Sequence, residues 1–333
     1  MTFRMRAART SDLAALYEMA KLTGGGFTNL PPDKPSLIAK LDRSAKAFAR
    51  IDDTLGEDLF VLVLENAETG QVRGTCQIFS QVGMSAPFYS YRIGTLTQHS
   101  KELARTFRAD MLTLSTDLEG ASEVGGLFLH PRERAGGLGM LIARSRYLFI
   151  RQHRARFANT TIAELRGLID EGGGSPFWDG VAGRFFGMNF QEADEFNAIH
   201  GHQFIADLMP KHPVYIAMLS EPARAAIGLP HPSGRAAMRM LEGEGFSADG
   251  YVDIFDGGPT MRANTDRIRS IADAKTTTIG RVAANEAPRA IVSHGTLESF
   301  VATWGCVDGD SLDPEAAGLL NVGAGDEILV APQ

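Results

Sequence analysis

The stretch Val124-Gly-Gly-Leu-Phe-Leu-His-Pro-Arg-Glu-Arg-Ala-Gly-Gly-Leu-Gly-Met-Leu-Ile-Ala-Arg-Ser-Arg-Tyr-Leu-Phe149 decides how this chain is read. A short apolar run, Leu127-Phe128-Leu129, stops at Pro131 and reads as a strand. A glycine-rich turn follows, and Leu138 to Arg156 carries helical periodicity, with Leu141, Ile142, Ser145, Leu148 and Phe149 on one side. The arginines on its other side read as a solvated face. The turn itself contains Arg134-x-x-Gly137-x-Gly139. Backbone N–H groups at a helix N-terminus bind a diphosphate, and glycine lets the backbone approach it closely. A Walker lysine and a full Gly-x-Gly-x-x-Gly are both missing, so neither nucleotide fingerprint fits.

Working outward, 333 residues exceed one ordinary domain and suggest two core-bearing units. A formal net charge of −7 offers no global basic field for nucleic acid or an anionic membrane surface. No apolar run is long enough to span a bilayer. Cys76 and Cys306 make neither a disulfide framework nor a zinc cluster, and they fit a reducing cytoplasm. His200 and His202 have no acidic or cysteine partner at zinc spacing, so no metal is expected.

Before the central stretch, Phe3 to Ala7 alternates as a strand, and Ser11-Asp12 offers a cap for the helix that follows. Thr23-Gly-Gly-Gly-Phe-Thr-Asn-Leu-Pro-Pro32 excludes a regular element and reads as a connector or as a loop closing on substrate. Lys34 to Ile51 is helical, and Leu59 to Leu64 and Gly74 to Val82 are paired strands. Glu123 stands just before the central strand, and Glu164 and Arg166 close the next one, Thr160 to Leu165. Breakers at Gly172-Gly-Gly-Ser-Pro176 open a second, largely helical half, which ends in an aromatic strand, Tyr251 to Phe255. The expected fold is α/β (α+β): a mixed sheet flanked by helices. It spans a unit at 1–170 with the loop, a related unit at 171–271, and a small β-rich appendage at 272–333 packed on the second unit.

Several further stretches occur in order along the chain: Phe88-Tyr-Ser-Tyr-Arg-Ile-Gly-Thr-Leu96, Glu164-Leu-Arg-Gly167, Ser175-Pro-Phe-Trp178, Leu208-Met-Pro-Lys-His-Pro213 and Tyr251-Val-Asp-Ile-Phe-Asp-Gly-Gly-Pro-Thr260. Together with Arg134-x-x-Gly137-x-Gly139, whose spacing is that of the pyrophosphate loop of GCN5-related N-acyltransferases, they resemble the arginine N-succinyltransferase family. The resemblance runs from Phe3 to Ile271. It implies transfer of a succinyl group from succinyl-CoA to the α-amine of L-arginine, the first step of a catabolic route. It assigns the proton donor to His231, in His231-Pro232, and succinyl-CoA contact to Leu127. The chain departs from the usual family pattern at Val124-Gly125-Gly126, His130 and Leu138-Gly139, all near the acyl end of the site.

The chemistry needs a deprotonated amine, a polarised thioester carbonyl and an acid for the departing thiolate. Direct attack needs no covalent intermediate, so Cys76 reads as packing. A guanidinium calls for carboxylates and aromatic faces, which makes Glu123, Glu164 and Tyr91 candidates. A succinyl carboxylate calls for cations, which makes Arg92 and Arg166 candidates. Two readings stay open beside arginine succinylation: another amine such as ornithine or another acyl-CoA, and a weakly active subunit paired with a paralogous chain. The expected assembly is a homodimer or such a pair.

Overall fold

A computed structural model describes residues 2–23, 29–200, 203–209 and 211–332. The core of the predicted glycine loop, 24–28, lies outside the described residues, as do His202 and the side chain of His200. Two compact units interleave along the chain. One comprises Met1–Gln81, Ser122–Thr161 and Asn264–Gln333; the other comprises Val82–Ala121 and Ile162–Ala263. Among the described residues no helix is long and apolar enough to cross a membrane.

The first unit is built on antiparallel strands in the order Lys275–Thr278, Glu327–Pro332, Arg289–His294, Val301–Asp308, Phe3–Ala7, Leu59–Asn66, Val72–Phe79 and Ser122–Leu129. Arg281–Val282 and Ser311–Leu312 add a short parallel pair. Leu59–Asn66 is apolar on both faces because both are covered. Leu59, Val61 and Val63 pack with Leu16, Met19, Leu37 and Leu41 from the helices Leu13–Lys21 and Lys34–Ala49. The next side chain over, Phe60, stacks against Phe149 of the helix Leu138–Gln152 at 4.8 Å between ring centroids. Burying each such ring stabilises the fold by about 1.5–3 kcal/mol. Cys76 is fully buried with its thiol at 3.6 Å from the carbonyl of Ile142, and burial pushes its pKa up to about 12, as fits packing and not nucleophilic attack.

Three expectations change here. Asp12 holds the cap position, but its carboxylate takes two bonds from Arg6, at 2.8 and 2.9 Å, and one from the Arg9 amide. The arginines of the central helix do not all form a solvated face, although Arg151 is exposed. Arg144 and Arg146 are buried, and Arg144 reaches Ser270 Oγ and the carbonyl of Pro332, both at 2.7 Å. A guanidinium provides enough donors to bridge elements that a periodicity count treats as solvent. The tail after Ala272 belongs to the first unit, because Val301–Asp308 pairs with Phe3–Ala7 and so covers that strand's open edge.

In the second unit the strands run Thr160–Glu164, Pro259–Asn264, Ser247–Val252, Ser90–Ser100, Arg105–Ser115 and Val214–Tyr215. Trp178 stacks on Phe255 at 5.6 Å over a core of Tyr91, Phe177, Val252 and Ile254. Gly180 faces Ala223, where an added Cβ would sit 2.3 Å from the alanine methyl, so the helices Pro176–Gly180 and Glu221–Ala226 meet at their backbones. The expected strand Tyr251–Phe255 ends at Val252. Asp253 accepts the amides of Phe255 and Asp256 and turns the chain there.

Candidate active site

The central stretch folds as its pattern requires and adds a bulge. Thr75 pairs with Phe128 and Gln77 with Gly125, so Ser122–Leu129 carries one residue more than the strand opposite. Gly126 takes that extra residue at φ +59. A Cβ on Gly126 would meet the Gln77 side chain at 2.9 Å, and one on Gly125 would meet Asn29 Nδ2 and Glu123 Oε1 at 3.0 Å. Both positions are therefore closed to side chains. Leu127, half-buried, follows the bulge directly.

Beyond the strand, Arg134 is exposed, and Gly136 and Gly137 are both left-handed, at φ +65 and +80. They turn the chain into the helix Leu138–Gln152, whose first amides have no partner within the helix. Gly139 lies in that first turn, and a Cβ there would have only Leu129 Cδ2 near it, at 4.0 Å. Successive left-handed and helical amides ahead of a long helix form an anion cradle. Leu127, Arg134, Gly137 and Gly139 thus lie along one strand–loop–helix unit.

Glu123 is buried at the start of the same strand. Burial raises its pKa to about 7, against the opposing pull of Lys40 and a hydrogen bond from the Asn29 side chain. Lys40 Nζ donates to the Asn29 carbonyl at 2.6 Å and to Gln77 Oε1 at 3.2 Å, and Gln77 Nε2 donates to that same carbonyl at 2.6 Å. Sequence reading missed Lys40. Its signal is a lysine beside Leu37 and Leu41 on the buried stripe of an amphipathic helix.

The second unit holds the other candidates. The Leu165 amide bonds to the carbonyl of Pro259, Pro259 lies opposite Val252, and Val252 lies opposite Tyr91. Of these, Tyr91 and Val252 belong to the aromatic core. Tyr91 sits there 5.9 Å from Phe177, its phenol pushed well above the usual range by burial. Alternation about Tyr91 turns Ser90 and Arg92 to the opposite face. On that face Arg92 is exposed and pairs with Asp117 at 3.3 Å, which also accepts from Tyr251 Oη at 3.0 Å. Among the described residues, Ser90 Oγ, Tyr91 Oη, Thr260 Oγ1 and Arg166 Nε are buried without a hydrogen-bond partner in the protein.

His231 is held by its backbone. Its amide donates to the Arg166 carbonyl at 2.7 Å, and the Gly228 amide donates to the Gly257 carbonyl at 2.8 Å. The ring's Nδ1 accepts the Ser233 amide at 3.2 Å, which leaves the proton of the neutral imidazole on Nε2. Burial, and then the nearby Arg166, lower the pKa of His231. Beneath this turn Asp256 accepts the amides of Gly167 and Gly258, at 2.7 and 2.8 Å. Burial and then Asp253 raise its pKa to about 8.

Residues 3–270 match the family described as arginine N-succinyltransferase beta subunit. The chain is 42% identical over 302 residues to an arginine N-succinyltransferase of Salmonella schwarzengrund (strain CVM19633), covering 90% of this chain and 87% of the relative. It is likewise 42% identical over 300 residues to that of Salmonella newport (strain SL254), at the same coverage. The solved structure of arginine/ornithine succinyltransferase subunit AI from Pseudomonas aeruginosa matches with a TM-score of 0.91 and 32% identity, over 99% of this chain and 98% of that one. The mixed sheet flanked by helices is N-acyltransferase-like, an acyl-CoA is the co-substrate, and the chain belongs to the arginine N-succinyltransferase family.

Proposed function

We propose that this enzyme transfers the succinyl group of succinyl-CoA to the α-amine of L-arginine, giving N2-succinylarginine and CoA. The observation that carries the reading is the bulge, glycine loop and helix of residues 122–152, in a chain that matches its family over residues 3–270. The loop amides, with Gly137, Gly139 and Arg134, take the pyrophosphate. The backbone at Leu127, freed from regular pairing by the bulge, polarises the thioester carbonyl. Glu123 accepts the proton that the amine sheds, and His231 protonates the departing thiolate. Glu164, Arg166, Arg92 and Tyr91 serve the amino acid and the succinyl carboxylate. The protein works as a homodimer or beside a paralogous chain, in the cytoplasm.

The name of the Pseudomonas relative includes ornithine, which makes that amine the competing reading. A thiol-release assay crossing succinyl-, acetyl- and glutaryl-CoA with arginine, ornithine and lysine decides between them. The highest kcat/KM is expected for succinyl-CoA with arginine; a higher value for any other pair overturns the assignment.

A further inference from the structure

Lys40 has no role in the chemistry described so far, and its ammonium sits in an unusual place. Its stem is partly exposed, yet the charge points inward to the Asn29 carbonyl and Gln77 Oε1. Gln77 also walls off the position where a Gly126 side chain would stand, and Asn29 does the same for Gly125. Glu123 completes the group, with its Oε1 3.0 Å from the Cβ position of Gly125. Four polar residues therefore surround the bulge that precedes Leu127. Lys40 and Glu123 are linked through Asn29, whose carbonyl takes Lys40 Nζ and whose side chain donates to Glu123, and two buried charges held this way cost desolvation that an apolar pair would not. Their presence here calls for a chemical reason.

We propose that Lys40 is a positioning residue of the transfer reaction: with Asn29 and Gln77 it holds the Glu123 carboxylate at the glycine bulge and keeps it an anion, ready for the proton leaving the amine. The proposal rests on the acyl-transfer reading given above. In the step, the amine nitrogen forms a bond to the thioester carbonyl carbon and the C–S bond breaks with its electron pair on sulfur. The proton lost by nitrogen passes to Glu123, the thiolate takes one from His231, and exchange with water resets both groups.

The charged groups around the pair are few. The helix Lys34–Ala49 brings Lys40 and Arg43, the strand Ser122–Leu129 brings Glu123, and Asn29 and Gln77 are neutral. Burial raises Glu123 to about 7 and lowers Lys40 to about 8, while each favours the charged form of the other. Removing the ammonium therefore makes Glu123 harder to ionise.

The test is the pH profile of kcat/KM for the amine, measured with whichever acyl-CoA and amine turn over best. A failure of the arginine reading then leaves this test intact. Measured in a His231→Gln background, which removes the opposing requirement for imidazolium, the profile should show an acid limb near pH 7. In Lys40→Met the limb should move up by a pH unit or more, with CoA affinity by calorimetry unchanged. Glu123→Gln should lose the limb, and its kcat should fall by roughly 10²–10⁴. A folded Lys40→Met variant with its limb in the native position overturns the proposal, as does a Glu123→Gln variant with native kcat. If Lys40→Met does not fold, Lys40→Arg carries the test. It keeps the charge but not the compact ammonium, so kcat should drop with the limb in place, and a native kcat overturns the assignment.

Discussion

The amide of His231 donates to the carbonyl of Arg166 at 2.7 Å, tying the His-Pro turn to the end of the Glu-Leu-Arg-Gly segment. This bond is made by the backbone, so it survives replacement of the imidazole. His231→Ala should fold normally, keep its CoA affinity and lose about two to four orders of magnitude in kcat. The lowered pKa gives a sign as well. The imidazolium population falls as pH rises through a value below 6.5, so the contribution of His231 as an acid declines with rising pH. His231→Gln should lose that alkaline dependence. Near-native turnover in either variant would assign the proton to another source.

The two loop glycines are distinguishable. Gly137 is at φ +80 and its Cβ position lies 3.5 Å from the Trp304 ring, so any side chain there strains the turn itself. Gly139 is helical and open on the protein side. Gly139→Val should leave the melting temperature within a few degrees of native and weaken CoA binding sharply. Gly137→Val should lower both. Calorimetry showing native CoA affinity in Gly139→Val would mean that the pyrophosphate does not approach this turn.

The backbone of the central stretch was legible in the sequence. The strand, loop and helix from Leu127 to Phe149 follow from periodicity and glycine placement, and Cys76 was read as packing because direct attack needs no covalent intermediate. The bulge was not legible, because Gly125-Gly126 reads equally as a weak strand, and only its partners Thr75 and Gln77 reveal the extra residue. Lys40 escaped notice because one charged residue on an apolar stripe looks like an imperfect pattern. The hairpin Ser90–Ser100 with Arg105–Ser115 was missed because its strands are mostly exposed and carry no apolar alternation. Tyr91 was chosen as an aromatic face for a guanidinium, and the residue type alone does not say which face of its strand the side chain takes.

The contact between Gly167 and Gly258 explains why two sequence motifs carry glycine. A Cβ on Gly258 would stand 2.0 Å from the Leu165 carbonyl oxygen, and one on Gly167 would stand 2.3 Å from that of Asp256. Gly258→Ala and Gly167→Ala should each destabilise the protein by about 1–3 kcal/mol, since backbone must give way. Gly318, in the helix Pro314–Leu320, has nothing within 4 Å of its Cβ position, so Gly318→Ala should be stabilising by about 0.5–1 kcal/mol. Urea denaturation of the three variants checks the ordering.

Asp256 gives a pH dependence of stability. Its folded pKa, about 8, lies above the ordinary value of 3.8, so the folded state binds this proton more tightly than the unfolded chain does. Stability from this group is therefore fully present below about pH 4 and is lost as pH rises toward 8. Asp256→Asn should flatten that slope. It should also lower stability at pH 5 by about 1–3 kcal/mol, because the amide nitrogen would face one of the two donors, Gly167 N or Gly258 N. A native slope in Asp256→Asn would assign the dependence to another group.

The last prediction concerns assembly. The sequence pointed to an exposed aromatic strand at 251–255, but Ser247–Val252 is paired on both sides, with Pro259–Asn264 and with Ser90–Ser100. The outermost strands, Lys275–Thr278 and Val214–Tyr215, are short, as protected edges tend to be. The hairpin is different. Its two strands pair with each other over all eleven residues, while among the described residues Ser247–Val252 pairs with it at Tyr91 and Arg92, and Val214–Tyr215 at Met111 and Leu112. Toward its tip it is a two-stranded ribbon, which is marginal alone in water. Leu103 and Phe107 are 70% and 60% exposed there. A second copy covering the ribbon would bury them, so sedimentation equilibrium at micromolar concentration should give twice 35.9 kDa for the native chain. Leu103→Asp combined with Phe107→Asp should return it to 35.9 kDa. A native mass of 35.9 kDa would show that the ribbon stands without a partner, and a dimer that survives the double substitution would place the interface elsewhere.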